Sequence, residues 1–293
     1  MEDLGVSILS DHRCHLGEGP AYDAATDTAW WFDIIERELF EARLATREII
    51  RHSLPVMCSM LAPIDDRRQL IAGEDGLYVR EIATGRMALH TPLEADSAAT
   101  RSNDGRVHPS GALWIGTMGR GGERSLGAIY HFFEGRLRRL YPGLSIPNSI
   151  CFSPDGRTAY FTDSRENVLM RVSVDPADGT PTEEPQPLYG TGEPGDLDGS
   201  VVDADGLIWN ARWGASRLDV YTPAGERARS ITVPVLQPSC PVFIGAALDR
   251  LLVTSAWQGM DDAMRAVDPN HGRTFVLRPG ARGRVEPHVR LAA

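Results

Sequence analysis

Residues Ile146–Ser164 read IPNSICFSPDGRTAYFTDS. A polar residue, Asn148, precedes a short apolar run, Ile150–Phe152. A tight-turn tripeptide follows, Pro154-Asp155-Gly156, and then a second strand-like run, Thr158–Asp163. Turn residues between two runs rich in aromatic and β-branched side chains predict a β-hairpin. The plan recurs six times. With Asn148 as the reference slot, the matching residues are Glu18 in LGEGPAYD, Ser59 in MCSMLAPI, Asn103 in RSNDGRVH, Asp198 in DLDGSVVD and Cys240 in PSCPVFIG. Successive slots are 41, 44, 45, 50 and 42 residues apart. The second strand of each unit ends at Asp33, Glu74, Thr117, Asp163, Arg212 and Ser255, always 14 or 15 residues after its slot.

That period fits four-stranded propeller blades. The reading is an all-β, six-bladed β-propeller with four antiparallel strands per blade, spanning residues 1–293 as one domain. The N-terminal run GVSILS, residues 5–10, is expected to close the last blade beside C-terminal strands, since an unpaired edge is a liability. The run at residues 284–291 is also extended in pattern. In a propeller, equivalent positions of all blades ring one mouth of the channel. The slot strand is expected to begin just after the slot, near Gly19–Tyr22 in the first repeat. Trp30, Trp31 and Phe32 are expected to fill inter-blade packing. The longest connection, Asp175–Leu197, carries five prolines and reads as a stiff surface segment with an outer strand. His108 in VHPSG reads as a turn residue.

The chain has 293 residues, 42% of them hydrophobic and 24% charged, as in ordinary globular proteins. Its formal net charge of −10 argues against a nucleic-acid partner. No apolar run approaches spanning length, so no membrane partner is expected. The acidic start, MEDLGVSILSDH, lacks a signal segment and points to the cytoplasm. Cys14, Cys58, Cys151 and Cys240 show no paired metal spacing and are expected as free buried thiols.

The slots gather two carboxylates and two carboxamides: Glu18, Asp198, Asn103 and Asn148. Carboxylates around a narrow channel repel unless a cation or proton compensates. Hard oxygen donors suit Ca²⁺, Mg²⁺ or Mn²⁺; alternatively, these polar groups hydrogen-bond ordered water. Arg101 either meets substrate or pairs with Asp104. Arg212 either adds a second guanidinium for a carboxylate-bearing substrate or pairs with Glu74 or Asp163. No GxSxG elbow, HExxH helix or P-loop is present, and the histidines avoid the slots.

The segments LGEGP (16–20), RSNDG (101–105), GALWIGTM (111–118), Ile146–Ser164 and LDGSVVDADGLIWNARWG (197–214) resemble the gluconolactonase and senescence-marker-protein family, which includes regucalcin, luciferin-regenerating enzyme and bacterial sugar lactonases. The resemblance spans essentially the whole chain. It implies one divalent cation (Ca²⁺, Mn²⁺, Mg²⁺ or Zn²⁺) held by Glu18, Asn148 and Asp198, with Arg101 and Asn103 contacting substrate. It implies a lactonase opening an aldono-, urono- or aldarolactone to the acid, with Asp198 as general base. The expected partner is the small sugar lactone, and the expected state a monomer or weak homo-oligomer. The alternatives are organophosphate or aryl-ester hydrolysis on the same propeller, or a calcium-binding protein without turnover. Some family members carry a substrate-contacting acidic residue soon after GTM. Here Gly119, Arg120 and Gly121 stand there, with Glu123 further on, so that contact is not carried over.

Overall fold

In the computed structural model, residues 4–190 and 192–292 are described. The acidic start, residues 1–3, and Thr191 within the long connection lie outside them. The chain is almost wholly β. Strand β1 is Ser7–Ser10. Blade 1 holds β2 Gly17–Asp23, β3 Thr28–Asp33, β4 Glu38–Arg43 and β5 Glu48–Ser53. Blade 2 holds β6 Cys58–Pro63, β7 Arg68–Gly73, β8 Gly76–Glu81 and β9 Met87–Pro92. Blade 3 holds β10 Thr100–Val107, β11 Leu113–Gly119, β12 Gly127–Phe133 and β13 Arg136–Leu144. Blade 4 holds β14 Pro147–Phe152, β15 Thr158–Asp163, β16 Val168–Ser173 and β17 Gln186–Gly190. Blade 5 holds β18 Asp196–Val202, β19 Ile208–Trp213, β20 Arg217–Tyr221 and β21 Arg227–Thr232. Blade 6 holds β22 Pro238–Ile244, β23 Arg250–Ser255 and β24 Thr274–Leu277, and takes β1 as its fourth strand. Six four-stranded antiparallel sheets make the fold a six-bladed β-propeller. The one helix among the described residues is α1, Asp262–Val267.

The N-terminal strand closes the last blade as expected: Ser7 faces Val276 and Ile8 faces Phe275. The C-terminal run at 284–291 is not a strand of that blade. Its backbone amides bond elsewhere, Val289 N to Pro63 O and Arg290 N to Gly111 O, both at 2.8 Å. The extended pattern there serves a strap over blades 2 and 3, which a residue pattern cannot tell from a ladder strand. The outer strand within Asp175–Leu197 is present as β17.

The chain forms two compact units, one of Met1–Pro55 with Glu193–Val285 and one of Val56–Gly192 with the C-terminal segment from Glu286. In the first unit, blades 5 and 6 share a core around Trp209, Leu218, Val220, Phe243, Leu251 and Phe275. Blades 6 and 1 share another around Trp31, Phe40, Val242, Ile244 and Leu252. Trp31 stacks on Phe40 with centroids 5.2 Å apart, so it fills inter-blade packing as the sequence predicts. In the second unit, Leu70, Leu77, Leu113 and Phe132 pack between blades 2 and 3, and Trp114, Ile129, Phe152 and Phe161 between blades 3 and 4. Sheets buried on both faces need apolar side chains in both alternation phases. The WWFD and ALWIG runs supply them.

The Pro154-Asp155-Gly156 turn also locks two blades together. Gly156 N bonds Ser153 O at 3.0 Å, with Gly156 at φ +67°, a conformation that favours glycine. Its carbonyl then meets His108 Nε2 at 2.8 Å. His108 is indeed in a turn, its carbonyl accepting Gly111 N at 2.8 Å. It is also fully buried, and burial pulls its pKa down. All four cysteines are buried and none forms a disulfide.

Candidate active site

The slots lie inside the innermost strands, not before them. Each innermost strand breaks register at its slot: Glu18/Ala21, Cys58/Met60, Ser102/Gly105, Asn148/Cys151, Leu197/Ser200 and Pro238/Pro241. This corrects the expected strand start. The ladder resumes on both sides of each break, so β2 begins at Gly17 rather than near Gly19. A β-bulge releases residues from pairing and re-aims their side chains. Two left-handed residues mark the breaks, Gly19 at φ +52° and Ser149 at φ +57°. The ends of the second strands pair with residues at or beside the break: Gly17 with Asp33, Pro147 with Asp163, Ser102 with Thr117, Leu197 with Arg212.

In the second unit the bulges of blades 2, 3 and 4 are wired together. Ser59 Oγ donates to Asn103 O at 2.6 Å and lies 2.8 Å from Ser102 Oγ. Arg101 Nη1 donates to Ser102 O at 2.7 Å and to Asn103 Oδ1 at 2.9 Å. Asn103 Nδ2 donates to Pro147 O at 3.0 Å and to Asn148 Oδ1 at 2.9 Å. Asn148 Nδ2 donates to Ser164 Oγ at 2.9 Å. The fold thus brings Arg101, Asn103 and Asn148 into one chain of hydrogen bonds and fixes both carboxamides' orientation. Asn148 presents Oδ1 with one lone pair beyond the Asn103 bond. Arg101 does not pair with Asp104. That carboxylate instead accepts the Ile150 N–H at 2.7 Å, and burial pushes its pKa up to about 6 against the pull of Arg106.

In the first unit, Glu18 and Asp198 occupy the bulges of blades 1 and 5, at 9% and 6% exposure. Glu18 Oε2 accepts Gly19 N at 3.0 Å. The Asp198 carbonyl accepts Asn210 Nδ2 at 2.9 Å, which anchors that bulge to β19. Ser239 and Cys240 of blade 6 stand between the two. Ser239 Oγ donates to Gly17 O at 2.5 Å, and a Cβ on Gly199 would overlap Cys240 Sγ. The glycine after Asp198 is therefore required for close blade packing.

The charged side chains at the second-strand ends take other partners. Arg212 is 1% exposed; its Nη2 donates to Gly195 O at 2.6 Å and its Nε faces Asp219 Oδ2 at 3.7 Å. It pairs with a protein carboxylate, but neither Glu74 nor Asp163 is the partner. Glu74 pairs with Arg120 at 2.6 Å. Asp163 caps backbone, accepting Ser145 N at 2.7 Å and Ile146 N at 3.0 Å. Sequence reading missed Ser164, which has no signal beyond adjacency to a strand end. It also left Glu123 unplaced. Glu123 Oε2 accepts Gly121 N at 3.0 Å, and a Cβ on Gly119 would overlap the same oxygen. The absent side chain at 119 lets the Glu123 carboxylate fold back beside the end of β11.

Glu18 and Asp198 in the first unit and the Asn148 carboxamide oxygen in the second are each oxygen donors of the type that hard divalent cations take. The fold is a β-propeller whose innermost strands carry buried carboxylates and carboxamides at their bulges. The chain belongs to the SMP-30/gluconolactonase/LRE-like family, whose sequence model matches residues 16–257. It is 55% identical over 97% of its length to a Rhizobium meliloti (strain 1021) protein provisionally named a sugar lactone lactonase, covering 96% of that protein. It is 35% identical to the L-arabinolactonase of Azospirillum brasilense, over 93% of this chain and 91% of the relative. A solved structure from Agrobacterium tumefaciens strain C58, described as the calcium-binding protein regucalcin, superposes with TM-score 0.95 at 51% identity, covering 97% of each chain.

Proposed function

We propose that this protein hydrolyses a sugar-derived lactone to its acid, as a single propeller domain in which Glu18, Asn148 and Asp198 together hold one divalent cation. The chain is a lactonase of its family. The observation that carries the reading is the shared bulge. Three donors of the right hardness occupy the equivalent bulge position of three blades, and one of them, Asn148, is held by the Arg101–Asn103–Asn148 hydrogen-bond chain. When bound, the cation polarises the ring-ester carbonyl and offsets its developing negative charge.

The chain's own groups do the rest. Asp198 takes the proton of the attacking water, being a carboxylate held in place by its bulge. Arg101 and Asn103 bind the lactone oxygen or the sugar hydroxyls. Their mutual bond at 2.9 Å presets their geometry before substrate arrives, which limits the ordering cost of binding. Glu123, folded beside Gly119, offers a carboxylate acceptor for a sugar hydroxyl. With Arg212 buried against Asp219, support for a second substrate carboxylate falls away, and a neutral aldonolactone is the preferred class.

The test is a metal-replete screen of aldonic, uronic and aldaric lactones, read by proton release, on wild type and Asp198→Asn. Turnover of a neutral aldonolactone that collapses in the variant supports the reading. A fully active, metal-loaded Asp198→Asn excludes Asp198 as the base.

A further inference from the structure

A second group of donors lies in the first unit, apart from Glu18 and Asp198. The ligand atoms of His12, Cys14 and Asp33 all lie within 4.8 Å of one another. Cys14 and Asp33 are fully buried; His12 is partly exposed and opens the cluster to solvent. Glu38 Oε2 stands 3.5 Å from His12 Nε2, is buried, and makes no hydrogen bond. The Trp31 indole N–H is fully buried without a hydrogen-bond partner. We propose that His12, Cys14 and Asp33 bind a borderline-soft divalent cation of the zinc type, with Glu38 or solvent completing the coordination.

An internal comparison separates this from a packing requirement. Blade 4 repeats the same backbone device: Asp163 caps Ser145 N and Ile146 N as Asp33 caps His15 N and Leu16 N. In blade 4 the positions of His12, Cys14 and Trp31 are filled by Pro142, Leu144 and Phe161, of which Leu144 and Phe161 pack in the apolar core. The capping carboxylate therefore folds its turn without an imidazole, a thiol or an indole N–H. Blade 1 has placed all three around it.

The donor chemistry selects the ion. A thiolate, an imidazole and a carboxylate suit zinc, whereas Ca²⁺ takes oxygen alone. Tetrahedral zinc bonds put ligand atoms roughly 3.3–3.8 Å apart, so the cluster tightens on binding. The half-exposed His12 ring, tilted on Phe40, is the group free to close that distance. Asp33 Oδ2 accepts one backbone N–H, from His15 at 2.7 Å, and keeps a lone pair for the ion. The surrounding amides hold the carboxylate in place, as outer-shell donors do at metal centres. Arg51 Nη1, 3.4 Å from Glu38 Oε1, is the cation facing the group from β5. The ion would tie the segment after β1 to blade 1, at the closure of the last sheet.

The test uses full-length protein saturated with Ca²⁺, which occupies hard oxygen sites, titrated with Co²⁺ alone. One equivalent should bind with a thiolate-to-cobalt charge-transfer band, and Zn²⁺ should bleach it. Cys14→Ser should abolish the band. His12→Ala removes a half-exposed ring without opening the core, and should weaken Co²⁺ binding roughly tenfold or more. Absence of the band in wild type overturns the proposal. So does a band that persists in Cys14→Ser, or His12→Ala binding Co²⁺ as tightly as wild type.

Discussion

Replacing Asp104 by asparagine should change stability in a way that reverses with pH. Asp104 sits in the blade 3 bulge, buried, one residue after Asn103, and accepts the Ile150 N–H at 2.7 Å. Burial outweighs the help of Arg106 and the Ile150 and Gly105 amides, lifting its pKa from 3.8 to about 6. A raised carboxyl pKa means the folded state holds the proton more tightly than the unfolded chain. Stability from this group is therefore full below the unfolded value and lost as pH rises through about 6. A shift of about two units corresponds to about 3 kcal/mol of cost to the wild type at neutral pH. In Asp104→Asn the carboxamide oxygen can still accept the Ile150 N–H, while the amide hydrogens enter a site built without acceptors for them, at about 1–2 kcal/mol. Asp104→Asn should thus stabilise by about 1–2 kcal/mol at neutral pH and destabilise by a similar amount near pH 4. Urea midpoints across that range, at constant slope, read the difference directly. A wild-type-minus-variant difference that stays flat from acid to neutral pH would refute the assignment of burial as the dominant force on Asp104.

Asp198→Asn should lose about 10²–10⁴-fold in kcat while keeping part of its affinity for the cation, measured by calorimetry and steady-state assay on the same sample. Arg101→Met should cost about 1.5–3 kcal/mol in kcat/KM, the range for a charged hydrogen bond, and a value near zero would remove Arg101 from the substrate site. Gly119→Ala should displace the Glu123 carboxylate and raise KM, with the urea midpoint nearly unchanged because the loop carrying Glu123 is exposed. Arg212→Met should remove the bond to Gly195 O and one of the cations near Asp219, which keeps Arg217, Tyr221 and Ser230, so the destabilisation should be about 1–3 kcal/mol. Its effect on kcat/KM should be equal for neutral and acidic lactones; a selective loss for the acidic ones would restore Arg212 to the substrate site.

Much of the fold is legible in the chain alone because a propeller is a repeat. A slot-to-strand-end offset of 14 or 15 residues in six units leaves one register for the blades, and pairs such as Gly17 with Asp33 and Pro147 with Asp163 obey it. The same register aligns Glu18, Asn103, Asn148 and Asp198 within the sequence itself. Strand beginnings were displaced because a bulge has no residue signature of its own: Glu-Gly-Pro, Asn-Asp-Gly and Asn-Ser-Ile all make one here. The terminal run at 284–291 misled for a related reason. Extended backbone looks alike in sequence whether its amides bond a ladder neighbour or, as at Val289 and Arg290, a distant turn.

Local pattern and spacing thus determined the blade count, the hairpins, the closing strand and the alignment of the polar slots. The hairpins and slots rest on interactions a few to some fifty residues apart, which the repeat writes into the sequence; the closing strand, Ser7 against Val276, follows from the strand that the repeat leaves over at the N-terminal end. Tertiary structure alone decided which polar groups meet. Arg212 turned to Asp219 and Gly195, Arg101 to Asn103 rather than to Asp104, and Glu123 back over Gly119. The choice belongs to three dimensions because a buried guanidinium or carboxylate takes whichever partner relieves its desolvation best. Which partner lies within reach is set by blade packing, not by distance along the chain.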